Sequence, residues 1–363
     1  MGKRWHWLLV SFAGYSAAKM VDDAGHDPGH AAEAAPAGYS WGEYVAQLVG
    51  EHGTLAALAL RLAELASTPE DSASVERALR RLRQRGNLGG GDYGRRLLRA
   101  FGLPRPIAAR VRWMGVYHSR FTDLPRSLCQ DQLRVWDRPP VSESRARVWL
   151  ELGQASVALR GRELALAELH LRRGRAAGSP EPAAQIELAL VEGFLASRQR
   201  SPERVAAALA EAGERLAQAD GLAADERACL HVRWIDQQAY QRNHPPEGTP
   251  PDLRGALALY ESLPREDLHP FVSYRRDAGL AYAHHRLGDR AAAIGLARAA
   301  IGHAGDGGYL RLRAMGLQLL AKILGPEEGA VARARALAIA GRLEDEALAG
   351  RISREAGAED RFT

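Results

Sequence analysis

Arginines between positions 77 and 96 are the residues of this chain whose types and spacing best fit a chemical role. Arg80 and Arg81 follow Arg77 by three and four positions, which places the three residues on one side of a helix. A guanidinium group can donate two parallel hydrogen bonds to a phosphate or to the edge of a guanine, and a glutamine amide fits adenine. The residues predicted to contact duplex DNA are Arg77, Arg80, Arg81, Gln84, Arg85, Arg95 and Arg96.

The excess positive charge of the chain is concentrated around these residues. The formal net charge is +5, and residues 1–140 carry 19 basic and 14 acidic side chains, whereas the remainder is balanced. Between Ser72 and Arg112, eleven arginines are accompanied by two acidic residues, Glu76 and Asp92. Such a segment favours a polyanion as its partner. Arginine usage in a GC-rich genome is the alternative explanation, and it accounts for the residue type better than for the clustering.

The composition predicts an all-α fold, so that helices must position these side chains. Alanine, leucine and arginine dominate, threonine and isoleucine are scarce, and no run of alternating β-branched residues indicates a strand. A chain of 363 residues is long enough for two or more domains. We expect a flexible leader over residues 1–39, a basic helical domain over 40–140 and an array of paired helices over 141–363, with a boundary at Asp137 to Pro140.

The basic domain carries the pattern of a DNA-binding unit. Apolar residues follow a helical period of about 100° per residue on the side opposite the arginines. The residues that carry the pattern are Leu62, Ala63, Glu64, Ser72, Val75, Arg77, Ala78, Leu79, Leu82 and Gly86. This pattern resembles part of the winged helix-turn-helix of the GntR type, and it implies a recognition helix from Ser74 to Arg85, with Ser72 or Ser74 as its cap. The turn before that helix is longer than in the family, and residues 95–101 look helical where the family has a returning strand.

The second part of the chain predicts five pairs of helices and a terminal helix. The predicted pairs are 144–159 with 163–176, 182–196 with 202–217, 224–242 with 253–263, 271–287 with 290–302 and 309–324 with 327–341, followed by 343–356. Two sets of residues match a repeat motif: Trp149, Leu152 and Gly153, and then Leu280, Ala281, Gly288, Asp289, Ala293, Ile294, Ala297 and Ala300. These motifs, and a spacing of about 34 residues or somewhat more, resemble a tetratricopeptide repeat array.

The resemblance implies that the first helix of each pair lines a concave groove. Its expected lining residues are Arg233, Gln237, Tyr240, Gln241, Arg275, Tyr282, His285 and Arg286. Amide and guanidinium groups suit the backbone and carboxy terminus of an extended peptide, so a peptide or protein is the expected ligand. A solvated concave face without a ligand is the alternative, and the sequence leaves both open.

Motifs of enzymes are present only in unsuitable contexts. Gly38 to Gly42 spells G-x-S-x-G, but no strand precedes Ser40, which instead fits a capping box with Glu43. Gly89, Gly91 and Gly94 spell G-x-G-x-x-G after a helix, so we expect a turn that passes close to another group, such as a phosphate near Arg95. No catalytic residue, metal site or cofactor is therefore predicted.

Two cysteines, Cys129 and Cys229, are too far apart in sequence for a metal knuckle and fit a reducing compartment. The apolar residues 7–18 leave open a signal sequence, and no segment reaches the length of a membrane span. The combined expectation is a cytoplasmic, DNA-binding transcriptional regulator whose array binds a peptide or protein. A homodimer is expected, since paired half-sites add specificity. The alternative is an adaptor that binds other proteins and not DNA.

Overall fold

The computed structural model describes residues 38–265 and 269–359, with side chains up to Arg354. This part of the chain is built from α-helices and short 3-10 helices and contains no β-strand, so the prediction of an all-α fold is confirmed. None of its helices combines the length and apolar character that a membrane span requires. The predicted leader falls outside the described residues except for Gly38 and Tyr39, and so does the apolar segment 7–18.

Four helices at the start of the described chain share one core. They are α1 (Trp41–His52), α2 (Leu55–Glu64), α3 (Ser72–Arg83) and α4 (Gly91–Phe101). Ser40 caps α1 through the predicted capping box, in which Glu43 accepts from the Ser40 backbone N–H at 2.7 Å. Trp41, Leu58 and Leu79 are among the side chains buried in this core. Ser40 is therefore a helix cap in the structure.

The orientation of α3 follows its sequence pattern. Its buried residues are Val75, Ala78, Leu79 and Leu82, as the periodicity predicts. The cap differs from the expectation of Ser72 or Ser74. Asp71 is the cap, and its side chain accepts from the backbone N–H groups of Ala73 and Ser74. Burial of one stripe leaves the opposite face of α3 to solvent.

The glycine run before Arg95 passes close to another group, as expected, but that group is the ring of Trp41. Gly91 to Gly94 form the first turn of α4, so the helix starts four residues before Arg95. A Cβ atom on Gly90 would lie 2.2 Å from Trp41 Cζ2, and one on Gly94 would lie 2.8 Å from Trp41 Cη2. The close approach is therefore to the Trp41 ring, which also donates from its indole N–H to the Leu88 carbonyl at 2.9 Å.

Two further helices, α5 (Arg105–Gly115) and α6 (Arg126–Trp136), lead into the paired helices. Their side chains share a core with the helix that follows, because Gly115 and Gly153 permit close contact. A Cβ on Gly115 would lie 2.3 Å from the Trp149 carbonyl oxygen, and one on Gly153 would lie 2.8 Å from Leu133 Cδ2. Tyr39 stacks on Trp136 at 6.5 Å between ring centroids, so the residue before α1 also packs here.

The remaining helices form the predicted pairs, with bounds close to those expected. They are α7 (Arg147–Arg160) with α8 (Leu164–Ala177), α9 (Pro182–Arg198) with α10 (Pro202–Gln218), α11 (Ala224–Asn243) with α12 (Leu253–Glu261), α13 (Pro270–Leu287) with α14 (Arg290–Asp306), α15 (Leu310–Leu324) with α16 (Ala330–Arg342), and the terminal α17 (Glu346–Glu359). Gly288 ends α13 in the left-handed conformation, at a φ of 88° that favours glycine. The second part is thus an array of packed helices.

The two ends of this array meet. The backbone N–H of Arg126, at the start of α6, donates to the Leu343 carbonyl at 3.0 Å, and Arg160 at the end of α7 donates to the same carbonyl. Glu344 accepts from the backbone N–H of Ser127 at 2.7 Å. These contacts join the turn between α16 and α17 to the first helices of the array and enclose its interior.

Candidate ligand site and basic surface

A segment of the chain itself, Val116–Leu124, runs between α5 and α6 through the interior of the array. The backbone N–H of Tyr117 donates to Glu187 of α9 at 3.3 Å, and the His118 carbonyl accepts from Tyr309 at 3.2 Å. Asp123 accepts from the backbone N–H of Arg311 at 2.7 Å and so caps the start of α15. We call Val116–Leu124 the interior segment. It occupies part of the groove in which the sequence predicted a peptide.

Tyr117 is the residue of this segment on which the array converges. Its phenolic oxygen accepts from Arg275 at 2.9 Å and from Arg311 at 3.1 Å. The Arg233 guanidinium lies 4.3 Å from its ring centroid and also pairs with Glu187. One charged residue from each of α9, α11, α13 and α15 therefore contacts Tyr117.

The arginines change the acidity of this phenol. Burial acts to raise the pKa of Tyr117, but the positive charges of Arg275, Arg311 and Arg233 outweigh it and lower the pKa to about 8. Burial also changes the pKa of two neighbouring groups. Burial and the nearby Arg233 lower the pKa of His118 to about 3, and burial raises the pKa of Asp123 to about 6. The interior thus stabilises negative charge at Tyr117 and disfavours additional positive charge.

Two adjoining cavities lie beside the interior segment. The first, which we call the aromatic cavity, has a volume of about 380 Å³ and includes Tyr240, His244, Tyr274 and Tyr282 in its lining. The second, the arginine cavity, has a volume of about 310 Å³ and is lined by eight arginines and one carboxylate, that of Asp236. Residues that line both cavities are Phe194, Arg198, Asp236, Gln237, Arg275, Met315 and Arg351. The two cavities therefore adjoin each other along these residues.

Six of the eight predicted groove residues line one or both of these cavities. They are Arg233, Gln237, Tyr240, Gln241, Arg275 and Tyr282. His285 and Arg286 are not part of the lining, although Arg286 donates to the Tyr282 hydroxyl at 3.1 Å. Arg233 and Arg275 are buried and paired with Glu187 and Asp236, so they are less accessible than a solvated groove would make them.

Several residues that line the site were not predicted from the sequence, above all Tyr117, Arg311, Arg160 and Arg198. Arg233, Arg275 and Arg311 all contact Tyr117. They are the tenth, sixth and second residues of α11, α13 and α15, so no repeated spacing indicates Arg311. No pattern marks Tyr117 either, because it comes from a segment outside the repeats.

Of the predicted DNA-contacting residues, Arg77, Arg80 and Arg81 lie on α3, Gln84 and Arg85 follow its last residue, and Arg95 and Arg96 lie within α4. The predicted recognition helix 74–85 therefore ends two residues earlier than expected. Arg77, Arg80, Arg81, Gln84 and Arg85 are all exposed. Arg77 donates to the Ser74 hydroxyl at 2.7 Å, and Arg80 pairs with Glu76 at 2.6 Å while its side chain stays 67% exposed. Exposed pairs of this kind contribute little and exchange readily for other partners. The α3 face is therefore an accessible basic surface.

Arg95 and Arg96 differ from each other. Arg95 is exposed and pairs with Asp92. Arg96 is half-buried and pairs with Glu70 at 2.7 Å, and hydrogen bonds from Arg96 and Tyr93 lower the pKa of Glu70. Arg96 is thus held by an internal carboxylate, whereas the arginines of α3 point outward.

The two cysteines are buried in the structure. Cys129 and Cys229 are free thiols, and burial raises the pKa of both. The residues that the structure describes contain no group of three potential metal ligands. No protein-family model, curated protein or solved structure matches this chain.

Proposed function

We propose that this protein is a cytoplasmic DNA-binding transcriptional regulator with a helix-turn-helix-like unit and a tetratricopeptide-like array that binds a ligand. In this proposal α3 is the recognition helix and α2 is the supporting helix before it. The array binds its ligand in the aromatic and arginine cavities. Two copies of the chain would bind paired half-sites.

The exposed basic face of α3 carries the DNA-binding half of the proposal. Its buried stripe docks on α1 and α2, and the arginines on the other side are free to meet phosphates and base edges. Asp71 fixes the start of the helix, and Trp41 fixes α4 behind it. A rigidly supported helix with outward guanidinium groups is what major-groove binding requires.

The two cavities beside the interior segment support the ligand-binding half. The volume of each falls within the range of roughly 300–1,000 Å³ that small-molecule sites occupy. An extended peptide, the ligand expected from sequence, would have to share the groove with Val116–Leu124.

Removal of two outward arginines tests DNA binding. We expect the double variant Arg77→Ala/Arg81→Ala to bind a mixed-sequence duplex about tenfold or more weakly at low salt, as measured by fluorescence anisotropy. The slope of log affinity against log salt concentration should fall by about two, because each lost phosphate contact releases about one counterion fewer.

The matched control is Arg298→Ala/Arg335→Ala, which removes the same charge from exposed positions on α14 and α16. This control should bind DNA like the native chain. If both double variants lose the same affinity, the loss reflects net charge and not a role of α3. An unchanged salt slope in Arg77→Ala/Arg81→Ala would also refute the role of α3.

A second candidate is an adaptor without DNA binding, which exposed leucines beside α3 favour. Leu60 on α2 is 52% exposed, Leu65 is 61% exposed and Leu88 is 72% exposed. Exposed apolar side chains in a basic part of the chain fit a protein partner with apolar and acidic groups on its surface. If the native chain binds no duplex even at low salt, the adaptor is the better account.

A further inference from the structure

The arginine cavity carries more positive charge than the carboxylates paired with its arginines can neutralise. Arg275 pairs with Asp236 at 2.8 Å, Arg311 with Asp345 at 2.6 Å, and Arg233 with Glu187. Arg162, Arg198 and Arg354 also line the cavity and form no ion pair with a described carboxylate, which leaves a surplus of positive charge. Like charges held close together repel one another, and a multiply charged anion relieves that repulsion.

The arginines that contribute to the surplus reach the cavity from different helices. Arg198 on α9 and Arg354 on α17 are exposed, and Arg162 follows α7 with a φ of 61°. The side chain of Arg275 is buried, and its Nε–H has no acceptor in the structure. Guanidinium groups converging from several directions are suited to the oxygens of phosphate groups.

The adjoining aromatic cavity offers flat surfaces and amides. His244 stacks on Tyr240 at 4.4 Å between ring centroids with an interplanar angle of 25°, and on Tyr282 at 5.8 Å and 21°. Tyr240 is 47% exposed, so its ring is accessible from the cavity. Gln241 and Asn243 add amide groups to the lining. Aromatic faces with nearby amides are the features that bind a nucleobase.

The size of the two cavities and the position of the interior segment favour a small molecule over a peptide. The interior segment already contacts α9, α11, α13 and α15 along the path that an extended peptide would take. What remains is a pair of adjoining cavities, of which one is basic and the other aromatic.

From these observations we infer that the array binds a nucleotide with two or more phosphates, with the phosphates in the arginine cavity and the base in the aromatic cavity. This inference deepens the ligand-binding half of the proposed function and does not depend on DNA binding by α3. The two cavities share lining residues, including Arg198 and Arg275, so one ligand of this size would contact both.

Calorimetric titration of the full chain, without DNA, tests the inference. The probes are ATP and GTP, with pyrophosphate and adenosine representing the two halves of a nucleotide. We expect at least one triphosphate to bind at least tenfold more tightly than pyrophosphate and than adenosine. Equal affinity for pyrophosphate, or no binding of either triphosphate at millimolar concentration, would overturn the inference.

Exposed lining residues provide variants that keep the buried ion pairs intact. Arg198→Ala/Arg354→Ala should weaken triphosphate binding at least tenfold, and Tyr240→Ala should weaken it without affecting pyrophosphate. Arg298→Ala/Arg335→Ala, outside both cavities, should bind as the native chain does. Triphosphate binding that is unchanged in Arg198→Ala/Arg354→Ala would contradict this site. A hexaglutamate peptide that binds more tightly than both triphosphates would also contradict it.

The DNA-binding variant separates this inference from the proposed role of α3. Arg77→Ala/Arg81→Ala should retain full triphosphate affinity. Loss of DNA binding alone would bear only on α3, and absence of nucleotide binding in a chain that binds DNA would overturn only the ligand inference.

Discussion

The pKa of Tyr117 reflects the electrostatic field in the interior of the array. Its hydroxyl accepts hydrogen bonds from two arginines and a third lies over its ring, at a position largely withdrawn from water. Low local dielectric strengthens these interactions, which favour the phenolate over the phenol. The same field that lowers the pKa of this phenol would stabilise a bound phosphate.

The acidity of Tyr117 predicts how stability depends on pH. Its pKa is about 8 in the folded chain and about 10 in the unfolded chain, so the unfolded state binds more protons between these values. The stabilisation from Tyr117 is therefore fully present above pH 10 and is lost as the pH falls through 8. Relative to Tyr117→Phe, the free energy of unfolding of the native chain should rise by about 2–3 kcal/mol over this window.

Urea unfolding at pH 7 and pH 9.5 should show about 2 kcal/mol of this rise, because pH 9.5 lies just below the pKa of the unfolded chain. Tyr309→Phe is the matched control, since burial raises the pKa of Tyr309 to about 12 and its hydroxyl stays protonated at both pH values. A constant difference between the native chain and Tyr117→Phe across the window would show that the arginines do not act on this phenol.

At the scale of elements, contact between α1 and α4 holds the supports of α3 together. Gly94 lies under the Trp41 ring, and no side chain larger than hydrogen fits there without a shift. Gly50, within α1, has no atom within 4 Å of the position of an added Cβ. Both glycines lie within helices, so the two positions differ in how closely other atoms approach them.

Replacing each glycine by alanine tests this contact. Gly94→Ala should destabilise the chain by about 1–3 kcal/mol, because the added methyl group overpacks against the indole. Gly50→Ala should stabilise it by about 0.5–1 kcal/mol, since alanine has the higher helix propensity. Thermal unfolding followed by circular dichroism gives both values. A stabilising Gly94→Ala would argue against the packing of Trp41 on α4.

What the sequence could predict at this scale was set by local periodicity. The buried stripe of α3 was predictable because Val75, Ala78 and Leu79 repeat with the helix. Its cap was not, because Asp71 competes with two nearby serines that are also good caps. The role of Gly90 and Gly94 depends on Trp41, which is distant in sequence, so no local pattern could indicate it.

At the scale of the whole molecule, the paired helices were predictable and the enclosure of their interior was not. Each pair carries its own apolar periodicity and turn, and the bounds of the helices follow from these signals. The interior segment and the junction of Arg126 with Leu343 depend on contacts between residues far apart in the chain. The predicted groove residues were therefore largely brought together, around a segment that the repeat pattern did not include.

Hydrogen exchange of the full chain, measured alone, with duplex DNA and with a nucleoside triphosphate, tests the central claim of two separate binding regions most directly. We expect DNA to slow exchange in residues 72–85 and the triphosphate to slow it in residues 116–124 and 233–244. Protection of the array by DNA, or protection of α3 by the triphosphate without protection of the interior, would contradict this assignment.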